Sequence, residues 1–104
     1  MKKNKIGNFE ISEIVYGMWR VSESNLTAQE IVVLLEGMLR LGINAIDTAE
    51  IYGNDYNDAE KKLGEAFQLR PDLKEKFIII TKNGIVARDR AKTPHYDNSF
   101  EYIV

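Results

Sequence analysis

The sequence predicts an α/β protein built on a parallel sheet. Two observations carry that prediction. The segments alternate in the order strand, helix, strand, helix, strand along the 104 residues. The best strands, INAID (43–47) and FIIIT (77–81), are continuous apolar runs and not alternating ones, the pattern of strands covered on both faces. Alternating units of this kind join through right-handed crossovers. The length allows one domain at most, and no internal repeat or low-complexity tract interrupts it.

The elements follow in chain order. KIGNFEIS (5–12) alternates weakly around Gly7-Asn8 and predicts a hairpin. EIVYGMWR predicts a strand from about Ile14 into Gly17, and VSESN after it reads as a polar connection. Thr27 with Glu30 three residues later is a capping box, in which each side chain satisfies a free backbone N–H of the first helical turn. The helix it opens carries Ile31, Leu34, Leu35, Met38, Leu39 and Leu41 as an apolar stripe, and Gly42 stands where a left-handed cap ends it.

The strand 43–47 then ends in Asp47. A second helix is expected over Asp58 to Gln68, with Ala59, Leu63, Ala66 and Phe67 turned inward and Arg70-Pro71 breaking it. After the strand 77–81, residues 83–98 read as a long polar loop. Ser99, Glu101 and Tyr102 look like the opening of a third helix, one turn before the last residue, Val104.

Composition excludes several classes of function. A net charge of −2 with scattered lysines, including Lys61 and Lys62 read as solvated surface, gives no basic face for nucleic acid or an anionic membrane. Without cysteine there is no disulfide, thiolate chemistry or cysteine-ligated metal. One histidine and scattered carboxylates lack metal-ligand spacing. The glycines form no phosphate-binding fingerprint. The basic start lacks the apolar core of a signal peptide, and no run is long enough to span a membrane. These features are those of a cytoplasmic protein.

In parallel α/β proteins chemistry sits at the carboxyl ends of strands. Three points fall there: Gly17-Met18-Trp19-Arg20, Asp47 with Tyr52, and Lys82. A tyrosine with its usual pKa of about 10 holds its proton firmly at neutral pH. A neighbouring ammonium stabilises the tyrosinate and makes the phenol a better proton donor, while an aspartate keeps the ammonium in place. Such a set could protonate a carbonyl oxygen while hydride reaches its carbon. Each residue also has a plainer reading. Asp47-Thr48 could satisfy backbone N–H groups in a turn, Tyr52 could be a loop aromatic, Lys82 a solvated lysine before the Asn83-Gly84 turn, and Trp19 a core residue. Lys82 could alternatively form a Schiff base. His95, in a Thr-Pro-His-Tyr loop, lies off the strand ends.

The assembled pattern resembles the aldo-keto reductases. GINAIDTAEIYG (42–53) is similar to that family's first signature, and Glu60-Lys61-Lys62-Leu63-Gly64-Glu65-Ala66 to the acidic helix that follows it. Ile79-Ile80-Thr81-Lys82 is similar to the strand that carries the family's lysine, and Gly17-Met18-Trp19-Arg20 to its first strand end. GMWR with PHYD (94–97) points to the bacterial oxidoreductase branch.

The resemblance implies the N-terminal portion of a (β/α)8 TIM barrel, with an N-terminal β-hairpin closing the bottom and about three βα units present. It implies NADPH as cofactor and a small-molecule carbonyl as substrate. By position the catalytic residues would be Tyr52 as general acid, Lys82 as its partner and Asp47 steadying Lys82. Gly17, Met18, Trp19, Arg20 and Asp47 would approach the nicotinamide. The family's catalytic histidine and its adenosine-phosphate segments lie beyond position 104, and a full barrel needs about 250 residues. The expectation is an incomplete reductase domain over 1–104, inactive by itself. The rival expectation is a non-catalytic module that forms a homo-oligomer through its open sheet edge.

Overall fold

The computed structural model describes residues 1–87 and 93–103. The chain opens with the expected hairpin, β1 (Lys3–Ile6) against β2 (Phe9–Ser12), turning at Gly7 with φ +58°. Asn44 fastens it to the main body. The Asn44 side chain accepts from Ser12 N at 2.9 Å and donates to the Glu10 carbonyl, while Asn44 N donates to Ser12 Oγ at 3.1 Å. Asn44 directly precedes the second parallel strand, so the hairpin lies at the amino ends of the sheet, away from the carboxyl ends.

That sheet has three parallel strands in sequential order: β3 (Tyr16–Gly17), β4 (Ala45–Asp47) and β5 (Ile78–Ile80). The register sets Tyr16, Ile46 and Ile79 in one row and Gly17, Asp47 and Ile80 in the next. Side chains alternate across a sheet, so the two rows face opposite ways. Ile46 belongs to the core, together with Leu35, Ile31 and Leu63 from the helices α2 (Ala28–Arg40) and α3 (Asp58–Leu69). Both long helices therefore cover the same face of the sheet. Sequential strands with their crossover helices on one side make a segment of a barrel, whereas a doubly wound sheet covers both faces.

The capping box at the start of α2 is present in both directions, Glu30 N to Thr27 Oγ1 and Thr27 N to Glu30 Oε1 at 3.2 Å each. Gly42 follows the helix with φ +86°, the left-handed geometry that closes a helix without a steric penalty. Arg70 ends α3 and ties Glu36 of α2, at 2.7 Å, to Asp72 of the short helix α4 (Pro71–Lys74).

Several local expectations are corrected. The first parallel strand is shorter than expected, and Ile14 and Val15 lie exposed before it. Leu41 is exposed and not part of the apolar stripe: it is the cap residue at the end of α2, its N–H still donating to the Gly37 carbonyl at 3.2 Å while its side chain faces solvent. Trp19 to Glu23, read as strand end and connection, form a short helix α1 whose Ser24 carbonyl accepts from Lys62 Nζ at 2.8 Å. Lys62 is thus a cross-link and not solvated surface. The polar loop contains a ribbon, β6 (Ile85–Val86) antiparallel to β7 (His95–Tyr96), and positions 88–92 of that loop lie outside the described residues. The opening turn after Ser99 is α5 (Phe100–Ile103), with Tyr102 N donating to Ser99 Oγ.

Truncating Leu35, which is fully buried between the helices and the sheet, should cost about 2–5 kcal/mol in denaturant unfolding. Thr27→Ala should cost about 1 kcal/mol through loss of the cap alone.

Candidate functional site

The three carboxyl ends of the parallel strands meet where the inward row finishes. Gly17 and Asp47 share a level, Met18 N donates to the Asp47 carbonyl at 2.9 Å, and Thr48 N donates to the Ile80 carbonyl at 2.8 Å. Two residues past β5, Lys82 turns its ammonium onto Asp47 Oδ1 in a direct ion pair. Lys82 Nζ also lies 5.0 Å from the centroid of the Tyr52 ring. The sheet thus brings Asp47, Tyr52 and Lys82 together, as the spacing along the chain suggests.

Of the plainer readings, a core Trp19 is contradicted, since Trp19 is exposed, whereas Tyr52 does lie in a loop. The Asp47 carboxylate is engaged by the ammonium instead of capping a turn. Thr48 Oγ1 is buried with no partner among the described residues. Lys82 is about half exposed but ion-paired. Partial burial, the largest single influence on Lys82, pushes its pKa down. Hydrogen bonding and charge from Asp47 and Tyr52 together outweigh that, and the pKa stands above the ordinary lysine value.

Tyr52 is held by the loop around it. Its N–H donates to the Ala49 carbonyl at 3.2 Å, and its own carbonyl accepts from Ala59 N at 3.1 Å, the first turn of α3. Gly53 follows with φ +112° and packs so tightly that a Cβ there would stand 2.5 Å from Asp58 Cβ. Asp58 Oδ2 in turn accepts from Asn54 N at 3.2 Å. The glycine after Tyr52 is therefore required twice, by conformation and by space.

Around this centre lie the other predicted residues. Trp19 stacks on Tyr52, ring centroids 6.2 Å apart and planes 18° from parallel, and the Arg20 guanidinium sits 4.8 Å from the Trp19 centroid. Gly17 is exposed, with nothing within 4 Å of the position a Cβ would take, which leaves bare backbone beside Asp47. Met18 differs from its neighbours, since the whole residue is buried, its side chain in the core and its N–H donated to the Asp47 carbonyl. His95 is exposed on β7, its Nδ1 3.0 Å from the Thr93 carbonyl oxygen. A small apolar cavity of about 70 Å³ lies between Ala49, Ile51, Tyr52, Lys82 and Ile85. A wider polar cleft of about 420 Å³ adjoins it at Glu50, Lys82 and Asn83. Among the described residues no cluster of three or more His, Asp or Glu is placed to hold a metal, and no helix is long and apolar enough to cross a membrane.

Two parts of this arrangement have no signal in the sequence. Ile85 lines the small cavity, and the Tyr56 hydroxyl both accepts from Ala87 N at 2.7 Å and donates to the Ala87 carbonyl. The partners are 31 positions apart, and neither belongs to a recognisable motif.

A profile of the aldo/keto reductase family matches residues 13–104. The chain belongs to that family. The 6-dehydroglucose reductase of Novosphingobium aromaticivorans is 40% identical over 97 residues, covering 89% of this chain and 30% of that protein. Oxidoreductase YdhF of Escherichia coli is 36% identical over 97 residues, covering 91% of this chain and 32% of that protein. The holo form of the aldo-keto reductase AKR11C1 from Bacillus halodurans superposes with a TM-score of 0.71 at 27% identity, over 99% of this chain and 33% of that one. The chain spans about a third of the length of the relatives it matches. Its three parallel strands and their helices are a partial α/β barrel of this family.

Asp47→Asn should lower the Lys82 pKa, read by lysine Nζ titration in NMR. The sign for stability follows from the raised folded value. The pairing contributes in full below the ordinary lysine pKa of about 10.4 and is lost as pH rises through the higher folded value. Asp47→Asn should flatten that alkaline loss. Gly53→Ala should destabilise the loop by about 1–3 kcal/mol, measured by thermal unfolding.

Proposed function

We propose that residues 1–104 are an incomplete reductase domain carrying the catalytic corner of an NADPH-dependent enzyme that reduces aldehydes or ketones. The convergence of Asp47, Tyr52 and Lys82 at one rim is the observation that carries this reading. Tyr52 is the general acid: its O–H gives a proton to the carbonyl oxygen as negative charge builds there. Lys82, kept charged by Asp47, stabilises the tyrosinate that remains. When bound, the nicotinamide supplies hydride to the carbonyl carbon.

The exposed backbone at Gly17 beside Asp47 fits a planar ring laid over it, since no side chain occupies that space. Gly17, Trp19, Arg20 and Asp47 would hold the nicotinamide end, whereas Met18 is fully buried and would act by fixing Gly17 and Trp19 on either side of it. A Schiff-base role for Lys82 is disfavoured. An amine nucleophile needs a depressed pKa, and this one is raised. The setting we infer is the cytoplasm, and the name of the Novosphingobium relative adds oxidised sugars to the candidate substrates.

A chain spanning about a third of its relatives is proposed to be inactive alone. A second reading draws on one observation: among the described residues β5 pairs on one side only, with Ile79 and Ile80 about 40% and 39% exposed, which favours pairing with a second copy. A concentration-independent monomer in light scattering would exclude it.

The decisive assay starts from the intact mass of the natural gene product. A product about three times the 11.9 kDa of this chain should oxidise NADPH with a panel of carbonyls. Tyr52→Phe should then lower kcat by about 10²–10⁴. The 104-residue chain should show no turnover. Turnover by the short chain would overturn the inactivity, and an unaffected Tyr52→Phe would overturn the assignment.

A further inference from the structure

The Tyr56–Ala87 contact joins the two loops that deliver Tyr52 and Lys82. A backbone N–H and C=O of one residue normally find partners on a neighbouring strand. At Ala87, which is buried, a single phenol hydroxyl serves both, accepting from the N–H at 2.7 Å and donating to the C=O. Tyr56 lies four residues beyond Tyr52 and is half-buried, and Ala87 lies five residues beyond Lys82. The small cavity of about 70 Å³ sits between the two loops, with Tyr52 and Ile51 on one wall and Ile85 on the other.

We propose that Tyr56 is a positioning residue that holds the Ile85 wall against Tyr52 and Lys82 and so sets the width of the apolar cavity beside the proton donor. The proposal rests on the reductase reading above. It adds a specificity determinant: the cavity admits a small apolar substituent on the carbonyl carbon, and its Ile85 wall, already paired with Tyr96 and bonded by the Tyr102 hydroxyl, is tied to the Tyr52 loop through Tyr56. The rest of the loop supports a tie of this kind. Asn57 N donates to the Glu50 carbonyl at 2.6 Å, so Tyr56 projects from a closed loop whose base is already fastened. On the far side Asp97 N donates to the Gly84 carbonyl at 2.6 Å, which fastens the start of β6. The Tyr56 hydroxyl closes the remaining gap between these two anchored segments.

Tyr56→Phe removes the hydroxyl and keeps the ring, and the 104-residue chain is the material for the test. Amide exchange by NMR should accelerate about tenfold or more at Ala87, while Leu35 and Ile46 in the core keep their protection. The Lys82 Nζ titration should move toward the ordinary lysine value as the contact with Tyr52 loosens. Trp19, the sole tryptophan, should report the same loosening as a change in emission, because it stacks on Tyr52.

Faster exchange at Ala87 with an unmoved Lys82 titration would overturn the proposal, leaving Tyr56 a local tie. Loss of protection at Leu35 and Ile46 would overturn it too, because the hydroxyl would then hold the fold. Tyr52→Phe separates the premise from the inference. If it leaves the Lys82 titration unchanged, the Tyr52–Lys82 coupling of the reductase reading has failed, whatever Tyr56 does.

Discussion

Everything at the proposed site depends on the parallel register of three very short strands. That register puts Gly17 and Asp47 level with each other and Ile80 beside them, so the chain leaving each strand emerges at one rim. A slip of one residue would turn Asp47 into the helix-covered core and Ile46 out of it, since side chains alternate across a sheet. Burying an unpaired carboxylate among Leu35, Ile31 and Leu63 would be far costlier than any local gain. The apolar pattern of the strands therefore fixes where the polar residues stand.

On that frame the electrostatics are local. Asp47 and Lys82 come from adjacent strands and find each other over a single strand spacing, while Tyr52 approaches Lys82 from a loop. The raised pKa of Lys82 results from competition, with burial working against the charge and Asp47 and Tyr52 working for it. Because Lys82 remains about half exposed, solvent screens the pair, and its effect on stability is modest. Its value lies in keeping an ammonium fixed beside a phenol.

The mechanical support is distributed differently. Gly53 and Asp58 shape the loop from within, Trp19 stacks on Tyr52 from α1, and Tyr56 ties the loop to Ala87. The hairpin takes no part at this end: Asn44 pins it to the amino ends of the strands. The end of the sheet that the hairpin closes and the end that carries the proposed site are thus separate, the usual division in barrels.

Much of this was legible along the chain because the physics is local there. The capping box at Thr27 and Glu30, the left-handed Gly42, the apolar stripe of α2 and the break at Arg70-Pro71 each follow from neighbouring residues. Asp47, Tyr52 and Lys82 were legible as strand-end residues, and the structure brings them together. The short helix at Trp19–Glu23 was not, since five residues carry no usable periodicity and it is held by Lys62 from a distant helix. The ribbon of β6 and β7 was hidden for the same reason, two-residue strands that exist only through their pairing. The sequence by itself determined the order of the parallel strands and the two long helices, most of their apolar faces, and Asp47 at the end of its strand. Only the tertiary structure decided that Met18 turns into the core, that Lys62 caps α1, and that Tyr56 closes on Ala87. Those contacts join positions far apart in the chain, and no pattern of neighbours encodes which distant backbone group a side chain will meet.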